Sequence, residues 1–345
     1  MTAAWVVRAG KYGERAQWVL ANGRAGTGWQ EVPDLTACNS RKEVAVVVAA
    51  AFPDLNAVQQ AGYTGQLWAL RGRIQVGDVM VLPVRATKEI AIGRVIGGYE
   101  YLSDEAPDRR HTVQVDWQMN DLPRSAVKQD LLYTLGSALT IFAPSKGHAV
   151  ERLEALLTTG EDPGAVGFGP TPKPGKETFD EDAVDEPELH ADVEEVARDQ
   201  ITTRIAEEFA GHDLAALITA LLEVEGFTCT MSPPGADQGI DIVAGRGLLG
   251  MDAPRVIVQV KSGSGVGESV VRDLLGVVST QNADQGLLIA WGGLTGPARV
   301  AVRHQQFKIR AWTSEDVVDA VLRLYERLPE EMRTRLPLQR VWMLA

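Results

Sequence analysis

The chain is poor in cysteine and lacks long apolar runs. It has 345 residues and two cysteines, Cys38 and Cys229, far apart in the sequence. Two such thiols cannot form a zinc site alone, and we expect a reduced, cytoplasmic compartment. No segment approaches the roughly 20 apolar residues that a membrane helix needs. Residues 1–8 enter a strand-like pattern at once, so we expect no signal peptide.

The chain also lacks the positive charge that is typical of tight, sequence-independent DNA binders. Its formal net charge is −12. Residues 177–199 carry most of this charge, with eleven acidic residues and one basic residue, while residues 1–176 and 200–345 are nearly neutral. A basic face on one side of the protein is therefore compatible with the composition but is not indicated by it. The acidic segment either competes for a basic groove and restrains activity or is a solvated spacer.

Length and composition predict two domains and a linker. A chain of 345 residues exceeds what one core usually holds. Residues 1–160 contain mostly strand patterns with a helix on either side, which predicts a small β-barrel. Residues 161–191 are rich in Pro, Gly and acidic side chains and predict a linker. Residues 192–345 form the second predicted domain.

Local patterns place the elements of both domains. The strands predicted in the first domain are 4–8, 79–84, 90–96 and 112–117, with helices at 41–51 and 146–157. The second domain is predicted to contain helices at 213–225, 269–280, 296–306 and 313–328, and strands at 227–231, 240–244, 255–261, 286–291 and 308–312. This alternation is typical of an α/β layer. The segment Thr313–Asp316 has the pattern of a capping box.

One constellation in the second domain carries chemistry. Asp241 ends the segment Asp237-Gln-Gly-Ile-Asp at the start of an apolar strand, and the next apolar strand ends in Gln259-Val260-Lys261. Magnesium prefers oxygen ligands, and Mn²⁺ can replace it, so Asp241, Gln259 and the Val260 carbonyl are candidate metal ligands. Lys261 would orient or deprotonate a water, or stabilise charge on a phosphorane. Asp237 is expected to be a turn residue.

These residues and their context predict a metal-dependent phosphodiesterase. Gln259 and Lys261 are two residues apart in one strand, so their side chains face the same side. The bare pattern of an Asp followed by Gln-x-Lys also occurs by chance in many α/β domains. The alternative is therefore an Asp that closes a loop and a Lys at a strand end, with no catalytic role.

The wider pattern resembles the catalytic domain of Mrr-type restriction endonucleases, a branch of the PD-(D/E)XK nuclease superfamily. The resemblance covers about residues 205–325 and rests on Gly226-Phe227, Asp237–Ile242, Gln259-Val-Lys261, Val270–Gly276 and Gln285–Trp291. It implies an α/β/α domain with a mixed sheet that hydrolyses DNA with Mg²⁺. In this branch Gln commonly replaces the second acid, so the resemblance assigns the catalytic roles to Asp241, Gln259 and Lys261.

The chain departs from that family at one position. Relatives often carry Phe-Glu on the helix before the Gly-Phe turn, where this sequence has Leu214-Ala215. That acid is dispensable, or Asp213 or Glu223 replaces it from a shifted position. A weakened or inactive nuclease is the third possibility.

The first domain is rich in aromatic residues and resembles domains that are fused to Mrr-type nucleases. The segments Trp5–Gly10, Gly28-Trp29, Gly77–Leu82 and Ile92–Tyr99 imply a PUA-like or EVE-like barrel, a fold that binds modified nucleobases. The candidate base-binding residues are Trp5, Arg8, Trp29, Tyr99 and Trp117. The simpler explanation for any one of these rings is that it fills the barrel core. We expect His111 to be a surface-loop histidine.

Three functions remain open from the sequence. The first is a modification-dependent DNA endonuclease of a microbial defence system against phage, acting as a homodimer or higher oligomer on double-stranded DNA. The second is a nuclease effector whose N-terminal domain senses a soluble nucleotide. The third is a DNA-binding protein whose nuclease fold no longer cleaves.

Overall fold

The protein was analysed as a computed structural model that describes residues 2–85, 87–144, 146–165, 192–233, 239–263 and 265–341. The chain divides into two compact units, Met1–Val196 and Ala197–Ala345. Most of the predicted linker at 161–191 lies outside the described residues. Within the described part of the chain, no helix has the length and apolar character needed to cross a membrane.

The first unit is built on a six-stranded mixed sheet that curls into a half-barrel. Its strands are β1 (Ala4–Val7), β2 (Arg24–Thr27), β3 (Val79–Val84), β4 (Glu89–Tyr101), β5 (His111–Pro123) and β6 (Ile141–Phe142), in the order β2-β5-β4-β3-β1-β6. Strands β1 and β3 are parallel, and the other neighbours are antiparallel. The chain therefore has an α/β architecture whose first sheet stays open between the short edge strands β2 and β6.

In the described part of the first unit, five α-helices accompany this sheet: α1 (Ala16–Ala21), α2 (Arg41–Ala51), α3 (Ala57–Trp68), α4 (Gln129–Leu135) and α5 (Ala149–Thr159). The Ser40 side chain caps α2 by accepting from the Glu43 N–H. Asn56 and Gln59 form a capping box at the start of α3. Sequence patterns predicted α2 and α5. They missed α3, because its Gly and Thr residues weaken the apolar periodicity.

A buried ion-pair network ties the end of α5 to α4. The Arg152 side chain is fully buried and donates to Asp162, also fully buried, and to Asp130, which is half exposed. Burial opposes ionisation of Asp162, but the bonds from Arg152 and from the backbone N–H groups of Lys128 and Gly164 outweigh it and lower the pKa of this carboxyl. Arg152 and Asp162 are thus both buried as charged groups inside the unit, and each is stabilised by the opposite charge of the other.

The second unit is a mixed five-stranded sheet in the order β11-β10-β9-β8-β7. Its strands are β7 (Thr228–Met231), β8 (Ile242–Arg246), β9 (Asp252–Lys261), β10 (Gln285–Ala290) and β11 (Ile309–Thr313). Strands β9, β10 and β11 are parallel, while β7 and β8 run antiparallel to their neighbours. The α/β/α arrangement with a mixed sheet is confirmed.

Helices cover both faces of this sheet. They are α6 (Val193–Glu208), within which the two units divide, α7 (His212–Val224), α8 (Glu268–Thr280), α9 (Gly296–His304), α10 (Ser314–Leu324) and α11 (Glu330–Arg335). One core combines α7 and α10 with Val256 and Val258 of β9, and the other combines α8 and α9 with Ile257. Alternation along β9 therefore sets which side chains face α8. The predicted cap of α10 is present, since Asp316 accepts from the Thr313 N–H at 2.8 Å.

Replacing Arg152 by Met should destabilise the first unit by about 3–5 kcal/mol, because it leaves the Asp162 carboxylate buried without its cationic partner. Urea denaturation followed by circular dichroism measures the change. Arg94→Met is the matched control, since Arg94 forms a partly exposed pair with Glu154. Its loss should cost at most about 1 kcal/mol. Equal losses for the two variants would contradict the role assigned to Arg152.

Candidate functional site

Asp241 lies where β8 meets the end of β9. Its backbone N–H donates to the Val258 carbonyl at 3.0 Å, and its Oδ2 accepts from the Val260 N–H at 2.7 Å. The β8–β9 register pairs Ile242 with Val258, and one further step places Asp241 opposite Gln259. Backbone hydrogen bonds with Val258 and Val260 thus fix Asp241 in place. The sheet brings Asp241 next to Gln259, although the two residues are 18 positions apart in the sequence.

Gln259 is a polar side chain inside an apolar strand. It is 7% exposed, and its Oε1 atom has no hydrogen-bond partner among the residues that the structure describes. A buried polar atom without a partner costs roughly 1–3 kcal/mol. Such an atom beside a carboxylate is what an oxygen-seeking cation would satisfy.

Val260 and Lys261 complete the strand end. Lys261 is partly exposed, and its carbonyl accepts from the Trp291 N–H at 2.9 Å, which ties the end of β9 to that of β10. Val260 faces the core shared with α7 and α10, whereas Gln259 and Lys261 face the opposite side. The predicted placement of these two side chains on one face agrees with this geometry.

Gly239 is a structural requirement that the sequence analysis did not single out. Its φ of +80° is a conformation that favours glycine, and a Cβ added there would lie 2.6 Å from the Gln259 Nε2 atom. The glycine therefore lets the chain pass close to the Gln259 amide. The signal in the sequence was its place in the motif that ends at Asp241. Asp237, the first residue of that motif, lies outside the described residues.

The acid found on the helix of relatives has no counterpart at Ala215, which is buried in α7. Asp213 pairs with Arg335 at 2.7 Å. Glu223 lies near Cys229, where burial and this carboxylate together raise the pKa of the thiol to about 11. In the described part of the chain, no three His, Cys, Asp or Glu side chains gather as a metal cluster.

The residues at this strand end fit a hard divalent cation such as Mg²⁺. Asp241 offers a carboxylate, Gln259 a buried amide oxygen without a protein partner, and Val260 a main-chain carbonyl. Magnesium usually keeps several waters and takes one or two protein carboxylates, so a site with one carboxylate is chemically adequate.

The comparison with protein families decides the identity of this region. Residues 206–321 match the family Mrr_cat, described as a restriction endonuclease. The chain contains an Mrr-type restriction endonuclease domain. Residues 5–136 match a family described as a domain of unknown function, DUF8426. No curated protein matches the chain.

Solved structures that resemble this chain share little of its sequence. MspJI restriction endonuclease in complex with a 27-mer oligonucleotide is 12% identical with a TM-score of 0.32, over 96% of this chain and 71% of that one. The DNA modification-dependent restriction endonuclease AspBHI is 14% identical with a TM-score of 0.31, over 81% and 72%. AF1548, a protein of unknown function, is 17% identical with a TM-score of 0.25, over 36% and 77%. With TM-scores this low, the match over residues 206–321 is the comparison that carries weight.

Outside the endonuclease domain, the five candidate base-binding residues differ in their burial and contacts. Trp5 is 2% exposed, and its Nε1 donates to Asp78 at 2.9 Å. Tyr99 and Trp117 pack against the same core as Trp5. Trp29 stacks on Tyr63 with ring centroids 4.7 Å apart.

Arg8, the fifth candidate, is buried and pairs with two carboxylates rather than with these rings. Trp29, Tyr99 and Trp117 are partly exposed, so three of the four candidate rings keep surface on which a base could stack. A base-binding role for the five residues stays a prediction.

The expectation for His111 was wrong. This residue begins β5 and is 1% exposed. Its Nε2 lies 2.9 Å from the Val32 carbonyl and must donate to it, so Nδ1 accepts from the Tyr99 hydroxyl at 2.9 Å. Burial lowers the pKa of His111, and this network holds the neutral ring. The sequence pattern predicted a strand that begins at residue 112, whereas β5 begins one residue earlier, at His111 itself.

The Gln259→Leu substitution should leave the metal-free protein as stable as the wild type or more stable, because it removes a buried oxygen that lacks a partner. The same variant should lose the stabilisation that Mn²⁺ or Mg²⁺ gives the wild type, about 2.7 kcal/mol at a metal concentration 100 times Kd. Thermal melts with EDTA and with metal measure both effects. Gln285→Leu, at an exposed position on β10, is the control and should keep the metal response. An unchanged metal response in Gln259→Leu would remove this residue from the ligand set.

Acid should destabilise the first unit through His111. Because burial lowers its pKa in the folded state, the unfolded chain binds more protons, and stability falls as pH drops below the unfolded value of about 6.5. The loss of stability between pH 7.5 and 5.5, measured in urea, should shrink in His111→Gln. The exposed His304, replaced in the same way, should leave that loss as in the wild type. An identical pH dependence in His111→Gln would refute the assignment.

Proposed function

We propose that the protein is a modification-dependent DNA endonuclease that hydrolyses phosphodiester bonds with Mg²⁺. The observation that carries this proposal is the strand end where Asp241, the buried Gln259 amide and Lys261 lie together inside an endonuclease domain. The recognition of a modified base would belong to the first unit.

The residues of this strand end have separate tasks in the proposed reaction. Asp241, Gln259 and the Val260 carbonyl would hold the cation, and the backbone bonds of Asp241 keep its carboxylate in place. Bound Mg²⁺ lowers the pKa of a coordinated water and offsets charge on the phosphate. Lys261, at the partly exposed end of the same strand, would orient or deprotonate the attacking water, or stabilise the negative charge of the phosphorane.

Recognition of a modified base is supported by the partly exposed rings of the first unit. Trp29 and Trp117 offer faces on which a displaced base could stack, at roughly 1–3 kcal/mol per base. The buried Trp5 would support those faces from the core, against which the partly exposed Tyr99 also packs. The likeness to PUA and EVE domains remains part of this proposal.

Double-stranded DNA, a homo-oligomeric state and a cytoplasmic location complete the proposal. One active site cuts one strand at a time, so cleavage of both strands calls for two copies of the domain. Among the described residues, Asp241 is the one carboxylate placed at the site. This also favours a second candidate function, a DNA-binding protein whose endonuclease domain no longer cleaves, because Ala215 stands where relatives carry an acid.

A digestion panel tests the reaction. The wild type should cut at least one duplex among unmodified, 5-methylcytosine, 5-hydroxymethylcytosine and N6-methyladenine DNA in Mg²⁺, and Mn²⁺ should substitute. Asp241→Ala and Lys261→Ala should each slow cleavage by about 100-fold or more, the usual effect of removing a group that stabilises the transition state. Lys308→Ala, at an exposed lysine of the same domain, should cleave like the wild type.

Two outcomes would decide against the proposal. Wild-type protein that cuts none of these duplexes supports the non-cleaving alternative, and variants that cut as fast as the wild type remove Asp241 and Lys261 from the mechanism. Cleavage that requires an added small nucleotide would instead favour the effector function.

A further inference from the structure

Three arginines converge at one edge of the half-barrel sheet. Arg8, Arg85 and Arg124 are each the first residue after a strand, namely β1, β3 and β5. Strand β1 runs parallel to β3, and β5 is antiparallel to β4, which is itself antiparallel to β3. The three strands therefore run in the same direction, and their carboxyl ends lie at the same edge. Residues separated by 77 and 39 positions in the sequence thus meet in one cluster, which we call the arginine edge.

The arginine edge holds two carboxylates of the acidic segment. Arg8 contacts Glu195 at 3.0 Å and Asp192 at 3.5 Å. Arg124 contacts the other Glu195 oxygen at 2.6 Å, and Arg85 pairs with Asp192. Asp192 also caps α6, since its Oδ1 accepts from the Glu195 N–H at 3.2 Å. All five residues belong to the first unit.

One donor of this cluster has no partner. The side chains of Arg8 and Arg124 are 7% and 8% exposed. The Nε atom of Arg8 is buried and has no hydrogen-bond partner among the described residues. A buried donor without a partner is costly. The arginine edge thus has one buried donor that Asp192 and Glu195 do not satisfy.

Phosphate is the ligand that such a cluster fits. The guanidinium fork matches phosphate oxygens in two-pronged hydrogen bonds, and arginine is the side chain most suited to buried contacts of this kind. Arg85 is 34% exposed, so the cluster is reachable from solvent. Both carboxylates come from the segment 177–199, which carries most of the negative charge of the chain.

We propose that the arginine edge is a binding site for backbone phosphates of DNA and that Asp192 and Glu195 occupy it as internal competitors. DNA binding then displaces Asp192 and Glu195, and these two carboxylates weaken binding until a duplex outcompetes them. This inference rests on the proposed function for its choice of DNA as the ligand. The alternative, a purely structural attachment of the start of α6, is an outcome of the test.

Duplex binding without catalysis provides that test. Fluorescence anisotropy of a labelled 30-base-pair duplex is measured with the full chain in EDTA over a salt series. Asp192→Asn combined with Glu195→Gln should raise the affinity by about tenfold or more and steepen the plot of log Kd against log salt by about 0.9 for each phosphate gained. The matched control is Glu194→Gln with Glu207→Gln, two exposed residues of the same helix that change the charge equally. Affinity equal to that of the control would overturn the proposal.

A second variant covers the case in which the double variant does not fold. Arg85→Gln, at the exposed member of the arginine edge, should lower duplex affinity by about three- to tenfold and make the salt dependence shallower. Lys42→Gln, at an exposed lysine on α2, should change the duplex affinity and its salt dependence less than Arg85→Gln does. Arg85→Gln that binds like Lys42→Gln would also overturn the proposal, and the attachment of α6 would be structural only.

Failure of this inference is distinguishable from failure of the proposed function. Binding is read in EDTA, whereas the endonuclease reaction is read as cleavage in Mg²⁺. If the wild type cleaves DNA but Asp192→Asn/Glu195→Gln binds no more tightly, only the proposal for the arginine edge is contradicted. If the double variant binds more tightly but the wild type never cleaves, the arginine edge is supported and only the proposed reaction is contradicted. Absence of duplex binding by every variant at low salt overturns the inference.

Discussion

The hydrogen bond from the Val260 N–H to the Asp241 carboxylate is the interaction on which the endonuclease site depends. Together with the bond from the Asp241 N–H to Val258, it fixes the carboxylate at the start of β8 against the end of β9. Gln259 lies between Val258 and Val260, the two residues that bond to Asp241, so the backbone holds the Gln259 amide beside Asp241. The close approach of Gly239 completes this corner. Within the described residues, Asp241 is thus the carboxylate of this corner, and the backbone fixes its position.

Both candidate sites lie at the carboxyl ends of strands. In the second unit, Lys261 ends β9, and in the first unit Arg8, Arg85 and Arg124 follow three strands that run in the same direction. Apolar strand interiors supply the rigidity, while the strand ends leave polar side chains near solvent. The buried arginines Arg8 and Arg124 and the buried Gln259 amide are costly features for stability. Their presence at strand ends, where a ligand can reach them, makes binding the natural explanation.

Charge is distributed in a way that composition conceals. The net charge of −12 argues against a nucleic-acid partner, yet the acidic residues are concentrated in one segment. Two of them, Asp192 and Glu195, pair with the arginine edge. A protein of this kind can carry a local basic site and remain acidic as a whole, because the same chain supplies the counter-charge.

The sequence by itself determined the strands and helices around Asp241, Gln259 and Lys261, since apolar runs and period-two alternation are local signals. It also determined that Gln259 and Lys261 share a face. Only the tertiary structure decided that Gly239 must approach Gln259, that His111 and Trp5 are buried, and that the arginine edge exists. Those facts depend on strand order and on contacts between distant residues, and no local pattern encodes which strand ends become neighbours.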